Sequence, residues 1–146
     1  LAASIQVAGA GACPIAPCRY GDKYHRIATS DDNVVVLRLA EMYLIRAEAN
    51  ARLGAADQTV RDDLDILRNR AGLADLPLTV AGQAALLAAV LQERRVELAF
   101  EGHRFFDLRR HGVATTVLAI PAERLLMPIP QAERDVNINL SQNPGY

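Results

Sequence analysis

The segment from Glu93 to Gly112, ERRVELAFEGHRFFDLRRHG, constrains the fold more than any other part of the chain. If it is helical, at about 100° per residue, four charged side chains share the stripe that carries Leu86, Val90 and Leu108. These four are Arg94, Glu97, Glu101 and Arg104. Because charged residues normally lie opposite the apolar stripe of a helix, this placement predicts charges that face the protein interior.

The spacing of these charges predicts a structural ion network. Glu97 and Glu101 would repel each other across one helical turn. Arg94 lies one turn before Glu97, however, and Arg104 lies one turn after Glu101. The alternatives are a solvated charged face, a carboxylate metal cluster and an acid/base pair. Flanking aromatic residues argue against the first, and arginines within contact distance would compete for the oxygens that the other two need. We therefore expect no metal site and no cofactor.

Composition indicates one globular domain spanning residues 1–146. The chain has 146 residues, of which 51% are hydrophobic and 23% charged, as is typical of a globular protein. The formal net charge is -1 and no long basic run occurs, which argues against a nucleic-acid partner. No apolar run is long enough for a transmembrane helix.

The pattern along the chain predicts an all-α fold. Residues 1–32 read as loop with at most one or two short strands, one of them around Lys23 to Ile27. Residues 33–112 form the expected helical core, and residues 113–146, interrupted by prolines, are expected to be mostly extended or irregular. The core should contain tetratricopeptide-like helix hairpins and a long third helix.

Three helices follow from the apolar periodicity. The first should be capped by Asp31, Asp32 or Asn33, and should end at Gly54. Its apolar stripe would contain Val36, Leu39, Tyr43 and Ala47. The second should end at Gly72, and its stripe would contain Val60, Leu64, Leu67 and Ala71. Because so few residues separate them, these two helices should form an antiparallel hairpin. The third, capped by Thr79, should run to His111, where Gly102 could introduce a kink.

The two cysteines leave their redox state open. Cys13 and Cys18 bracket CPIAPC, a spacing that fits neither a Cys-x-x-Cys redox motif nor a four-ligand zinc set. They could form a local disulfide in an oxidising compartment or remain free thiols. Alkylation without reductant, followed by mass measurement, distinguishes the two states.

The absence of a methionine and of a positive segment at the start favours truncation of a longer protein over a signal sequence.

A catalytic role is weighed for one constellation. Asp107 lies four residues from both His103 and His111 and could orient either imidazole. No serine or cysteine nucleophile lies nearby in sequence, and a histidine near a basic helix end is more often a capping or packing residue. We expect the protein not to be an enzyme.

Five sequence blocks occur in an order that resembles the C-terminal part of the SusD/RagB family. They are LRLAEMYLIRAEANARLG, LRNRAGL, QERRVELAFEGHRFFDLRRHG, MPIP and QNPGY. The resemblance implies a non-enzymatic lipoprotein on the outer-membrane surface of Bacteroidetes-type bacteria. Such proteins capture a glycan or another nutrient and cap a SusC-like TonB-dependent transporter. Family members also have tetratricopeptide-like helix pairs, in agreement with the hairpin expected above.

The chain departs from the family in length. Family members are several times longer, so we expect a C-terminal fragment of a SusD-like protein. The lipidated cysteine would then lie outside this chain, and the ligand-binding residues, which stay unknown, would lie upstream. The alternative interpretation is a generic helical-repeat module for protein–protein interaction.

Overall fold

The computed structural model describes Ile5–Val7, Arg19–Gly21, residues 23, 24 and 29, and residues 32–146. Contacts divide the chain into two compact units, Leu1–His103 and Arg104–Tyr146. Within the described ranges, no helix combines the length and the apolar character that a membrane crossing requires. Cys13 and Cys18 lie outside the described residues. The prediction of a single domain stays a prediction.

The first unit begins with a two-stranded antiparallel sheet. Strand β1, Ile5–Val7, pairs with β2, Arg19–Gly21, in a register that places Ile5 opposite Gly21. The strand expected around Lys23 to Ile27 is not found where it can be tested, because Lys23 and Tyr24 form a bend. Residues 25–28 lie outside the described residues.

An antiparallel helix hairpin forms the centre of the first unit. Helix α1 spans Leu39–Arg52 and α2 spans Asp57–Arg70. Each is followed by the glycine that the sequence predicted as its end, Gly54 at φ 71° and Gly72 at φ 74°. Both angles lie in the left-handed region, which glycine enters without a Cβ clash. The hairpin and the all-α fold class are therefore confirmed.

Helix α1 starts later than predicted and turns a different face to the core. Residues 32–38 have no regular secondary structure, and Val36 and Leu39 of the expected stripe are exposed. β-Branched valines favour an extended backbone, and the extended residue that precedes the helix is Arg38. The buried residues of α1 are Ala40, Leu44, Ala47, Glu48 and Ala51. On α2 the predicted stripe is buried except for Ala71.

Helix α3, Gln83–Glu97, packs against both α1 and α2. Leu86 and Val90 contribute to a core that also contains Leu44, Val60 and Leu64. The connector before α3 is held by the buried guanidinium of Arg61, which donates hydrogen bonds to four backbone carbonyls. These belong to Leu76, Pro77, Leu78 and Val80.

The third helix is shorter than the sequence suggested. It ends at Glu97, residues 98–102 form turns, and α4 begins a new helix over His103–Arg110. Phe100 has φ 65° and Gly102 has φ 81°, and a right-handed helix cannot continue through left-handed residues. The segment is therefore two helices joined by a turn, and not one kinked helix.

The second unit contains most of α4 and only short further helices. These are α5, Ala114–Leu118, a 3-10 turn at Ala122–Leu125, and α6, Gln131–Val136. The C-terminal tail pairs with residues 126–129. The Ile129 amide donates to the side-chain oxygen of Gln142 at 2.8 Å, and the side-chain nitrogen of Gln142 donates to the Ile129 carbonyl at 3.0 Å. The Tyr146 hydroxyl donates to the Leu126 carbonyl at 3.1 Å. The MPIP and QNPGY blocks therefore meet in the fold.

Candidate functional site

Two residues of the predicted network, Glu97 and Glu101, have carboxylates that are almost completely buried. Glu97 is the last residue of α3, and Glu101 lies in the following turn. Their side chains are 5% and 1% exposed. Because a buried carboxylate is costly unless it is paired, the identity of their partners determines what this site can do.

Arg38 joins the two carboxylates. Its Nε donates to both carboxylate oxygens of Glu101, at 2.9 and 3.0 Å. One terminal nitrogen donates to the Glu97 carboxylate and the other to the Glu97 backbone carbonyl. The planar guanidinium has five donors in a fixed arrangement, which makes such a double contact possible. The segment before α1 is thereby tied to the end of α3.

Two further cations complete the cluster. Arg70, the last residue of α2, donates to Glu97. Lys23 donates to Glu101 and, at 3.2 Å, to the backbone carbonyl of Ala99. We call Lys23, Arg38, Arg70, Glu97 and Glu101 the ion cluster. Its cations come from three separate parts of the sequence, so it links the N-terminal region, both helices of the hairpin and the turn after α3.

The pairing shifts the ionisation of the cluster. Burial alone would raise the pKa of Glu97, but hydrogen bonds from Arg38 and Arg70 outweigh it, and the pKa lies below its ordinary value. The pKa of Glu101 is lowered in the same way by Arg38 and Lys23. Burial would lower the pKa of Arg38, but the two carboxylates raise it. All three groups are therefore charged at neutral pH.

The two arginines of the predicted network have different surroundings. Arg94 is buried on α3, at 5% exposure, whereas Arg104 is exposed. The expected pairing of Glu101 with Arg104 assumed one continuous helix, and the turn at residues 98–102 removes that relationship. The four-residue network therefore stays a prediction, and Arg104 lies at the surface where the sequence suggested an inward-facing side chain.

Three cations of the ion cluster were not among the residues predicted from the sequence: Lys23, Arg38 and Arg70. A local signal existed for Arg38 alone, since it is the single charged residue in the apolar run VVVLRLA. A lone arginine among valines and leucines requires a partner, although nothing in the local sequence says which one. Arg70 and Lys23 sit in polar surroundings and gave no signal.

The ion cluster is suited to holding structure together and not to chemistry. Each carboxylate already accepts from two cationic side chains, and these cations compete with a metal ion or a proton for its oxygens. Among the residues that the structure describes, no group of three or more His, Cys, Asp and Glu could hold a metal ion.

Two residues of the catalytic hypothesis, His103 and Asp107, contact charged side chains of the fold. His103 Nδ1 is 3.5 Å from a carboxylate oxygen of Glu41 on α1. Asp107 is buried and accepts a hydrogen bond from Arg110 at 2.9 Å.

The tyrosines of the helical region also lie in contacts within the fold. Tyr43 packs partly buried against the core, and the Arg46 guanidinium lies over its ring, 5.3 Å from the centroid. Tyr146 is half-exposed, with Arg124 stacked over its ring at 4.6 Å.

Comparison with known proteins decides the family. Residues 19–124, which include most of the described residues, match the sequence model of the SusD family. The chain belongs to the SusD family. It is 32% identical over 149 residues to SusD-like protein P2 of Formosa agariphila, covering 85% of this chain and 30% of that protein. It is 34% identical over 129 residues to the starch-binding protein SusD of Bacteroides thetaiotaomicron, covering 80% and 22%.

Solved SusD-like structures share the fold. A laminarin-binding SusD-like protein is 40% identical and superimposes with a TM-score of 0.64 over 79% of this chain and 23% of that one. A SusD-like protein of Bacteroides fragilis is 31% identical, with the same TM-score, over 78% and 26%. The chain thus spans less than a third of the length of these SusD relatives. The family and the helical architecture expected from the sequence are confirmed.

Proposed function

We propose that the protein carrying this chain is a non-enzymatic, surface-exposed nutrient-binding component of a TonB-dependent uptake complex in the outer membrane. The observation that carries the proposal is the SusD family match over residues 19–124. Two relatives are named for the polysaccharides starch and laminarin, so the nutrient class proposed is an oligosaccharide. A SusC-like transporter is the proposed partner.

Within that protein, residues 1–146 act as part of the helical scaffold. The buried carboxylates of Glu97 and Glu101 are engaged in the ion cluster, and the Arg61 guanidinium is engaged with the connector before α3. Groups that are already saturated within the fold are poor candidates for sugar recognition, which needs polar side chains free to bond hydroxyls. The nutrient contacts, and the lipidated cysteine that anchors the protein, lie outside this chain in the proposal.

Binding and partnership can be tested together on the complete polypeptide. Isothermal titration calorimetry with starch and laminarin oligosaccharides should give saturable binding to at least one of them. An affinity tag on the polypeptide should retain a TonB-dependent transporter from solubilised outer membranes. A reducing-end assay should detect no hydrolysis. Absence of both binding and the transporter would overturn the proposal, and hydrolysis abolished by His103→Ala would favour an enzyme.

A helical-repeat interaction module is the second candidate. It is favoured by the exposed apolar face of α1, where Leu39 and Ile45 are 69% and 48% exposed. Gene neighbourhood separates the two candidates, because an uptake component should be encoded beside a TonB-dependent transporter. A gene for this protein that lies far from any TonB-dependent transporter gene would favour the interaction module.

A further inference from the structure

The turn between α3 and α4 lies in a segment whose sequence also suits a helix. Residues 93–112 have the periodicity of one continuous helix, which the structure interrupts at residues 98–102. Phe100 stands in the middle of the turn with φ 65° and its side chain is 59% exposed. A left-handed conformation costs free energy for a residue with a Cβ, and an exposed ring gains little packing to offset it. Contacts from outside the segment must therefore stabilise the turn.

Arg38 holds the first half of the turn. In a continuous α-helix the Glu97 carbonyl would accept a hydrogen bond from the Glu101 amide. In the structure the Glu97 carbonyl accepts from the Arg38 guanidinium, and the Glu101 amide donates to the Leu98 carbonyl at 3.1 Å. A side chain from the segment before α1 thus replaces a main-chain bond of the helix.

Lys23 holds the second half of the turn. The Ala99 carbonyl would accept from the His103 amide if the helix continued. It accepts instead from the Lys23 ammonium group at 3.2 Å, and the same ammonium group also donates to the Glu101 carboxylate. Lys23 belongs to the N-terminal region, outside the helix hairpin. Whether the turn persists therefore depends on where the N-terminal region lies.

Glu101 has a cationic partner available in either arrangement. In the turn its carboxylate accepts from Arg38 and Lys23. In a continuous helix Arg104 would lie one turn after Glu101, at the i,i+3 spacing of a helical ion pair, and Arg104 is exposed in the structure. A segment whose charged group can be paired in two ways has the two alternative packings that a conformational switch requires.

The turn also lies where the chain divides. The boundary between the two compact units falls directly after it, between His103 and Arg104. Hinges consist of a few residues at the ends of elements that absorb large changes of φ and ψ. Phe100 and Gly102, at φ 65° and 81°, are the two left-handed residues that would have to change for the helix to continue.

We propose that residues 98–102 form a conformational switch governed by the ion cluster. While Lys23 and Arg38 hold the carbonyls of Ala99 and Glu97, the segment is a turn. When the N-terminal region withdraws Lys23, the population shifts toward a state in which α3 continues through the segment into α4 as a single helix. The proposal goes beyond the proposed function and does not depend on nutrient binding or on the transporter.

A distance measurement distinguishes the two states. In the complete polypeptide, spin labels attached through p-acetylphenylalanine replace Gln92 and Arg109, which are both exposed. At 1.5 Å per residue a continuous helix separates these positions by about 26 Å, which we call the straight-helix distance. Double electron–electron resonance should show one main population at a different distance in the natural chain. Lys23→Met should add a population at the straight-helix distance. A natural chain that is already at this distance would overturn the proposal.

Substitutions within the turn should shift the two populations in opposite directions. Added to Lys23→Met, Gly102→Ala should raise the ratio of helix to turn at least about fivefold, because alanine favours a helix interior over glycine. Phe100→Gly should lower this ratio, since glycine adopts the left-handed turn without a Cβ clash. Arg95→Met, which removes an exposed cation outside the ion cluster, should leave the distances of the natural chain unchanged. Identical distances in all of these variants would overturn the proposal.

A variant that keeps every member of the ion cluster provides a second measurement if Lys23→Met disturbs folding. Gly102→Ala alone should give a smaller population at the straight-helix distance. Gly102→Ala/Arg104→Gln should lose most of it, because Arg104 pairs with Glu101 only in the helical state. Absence of this population in Gly102→Ala would overturn the proposal, and so would a population that Arg104→Gln leaves unchanged.

Discussion

The Nε of Arg38 donates to both carboxylate oxygens of Glu101, at 2.9 and 3.0 Å, across a separation of 63 residues. The same guanidinium also reaches Glu97. Arg38 immediately precedes α1, and the two glutamates flank the end of α3. One side chain thus fixes the start of the first helix against the end of the third, which makes the ion cluster a long-range contact within the helical scaffold.

Removing one carboxylate of the ion cluster should destabilise the chain strongly. Glu101→Gln keeps the shape but removes the carboxylate charge from the largely buried Lys23, and it leaves Arg38 one of its two carboxylates, Glu97. We expect the free energy of unfolding to fall by about 2–4 kcal/mol, measured by urea denaturation. Arg104→Ala is the matched control, because Arg104 is exposed, and should change it by less than about 0.5 kcal/mol. Equal losses would mean that Arg104 belongs to the cluster after all.

The ion cluster should also make stability depend on pH. The folded-state pKa values of Glu97 and Glu101 are lowered, so the unfolded chain binds more protons than the folded chain at acidic pH. The stabilisation is complete above the unfolded glutamate pKa, about 4.3, and is lost as pH falls through the lower folded values. Urea midpoints at pH 6.5 and 3.5 should differ more for the natural chain than for the Glu97→Gln/Glu101→Gln double variant. Identical pH profiles would contradict this.

Helix ends and the hairpin could be predicted because their causes are local. Gly54 and Gly72 each follow an apolar stripe, and both adopt the left-handed conformation that ends a helix. The buried apolar residues of α2, which are Val60, Leu64 and Leu67, likewise follow from a 3.6-residue period. For these features the identity of the neighbouring residues is enough, and the sequence contains it.

The start of α1 and the partners of the glutamates could not be predicted, because their causes are distant in sequence. Arg38 is extended and bonded to Glu97 and Glu101, residues about 60 positions away that no helical periodicity connects to it. The break after Glu97 depends on Phe100 at φ 65°, a conformation that phenylalanine rarely adopts. Tertiary contacts override local preference at both places.

The connector before α3 should depend on Arg61. This guanidinium, 3% exposed, donates to the carbonyls of residues 76, 77, 78 and 80. Arg61→Met keeps the apolar stem but removes the hydrogen bonds to these four carbonyls, so we expect a loss of about 2–3 kcal/mol in urea denaturation. Arg61→Lys should recover only part of it, because an ammonium group lacks the planar fork.

A control for Arg61 is available on α3. Arg95 is exposed, so Arg95→Met should stay within about 0.5 kcal/mol of the natural chain. Hydrogen exchange should additionally show faster exchange of the Val80 amide, which donates to the Pro77 carbonyl at 2.9 Å, in Arg61→Met alone. Full recovery by lysine would contradict the role assigned to the fork.

The turn between α3 and α4 should require a left-handed residue at position 102. Gly102 has φ 81°, and an added Cβ would meet nothing within 4 Å. Gly102→Ala therefore carries only the backbone cost, about 1 kcal/mol. Gly102→Asn should cost less, because asparagine tolerates this region better. Thermal or urea unfolding of the two variants provides the measurement, and an alanine variant as stable as the natural chain would show that the turn relaxes.

The C-terminal tail provides the matching case in which steric contact adds to backbone strain. Gly145 has φ 91°, and a Cβ there would lie 2.8 Å from the Glu123 Cβ. Gly145→Ala must therefore displace the tail, whose Asn143 side-chain amide donates to the Met127 carbonyl at 2.6 Å and whose Tyr146 hydroxyl donates to the Leu126 carbonyl. We expect faster proteolysis at the tail and faster hydrogen exchange of the Ile129 amide, which donates to the Gln142 side chain at 2.8 Å. Tyr146→Phe, which removes one hydrogen bond without a clash, should loosen the tail less. If both variants behave alike, the close approach of Gly145 to Glu123 does not hold the tail in place.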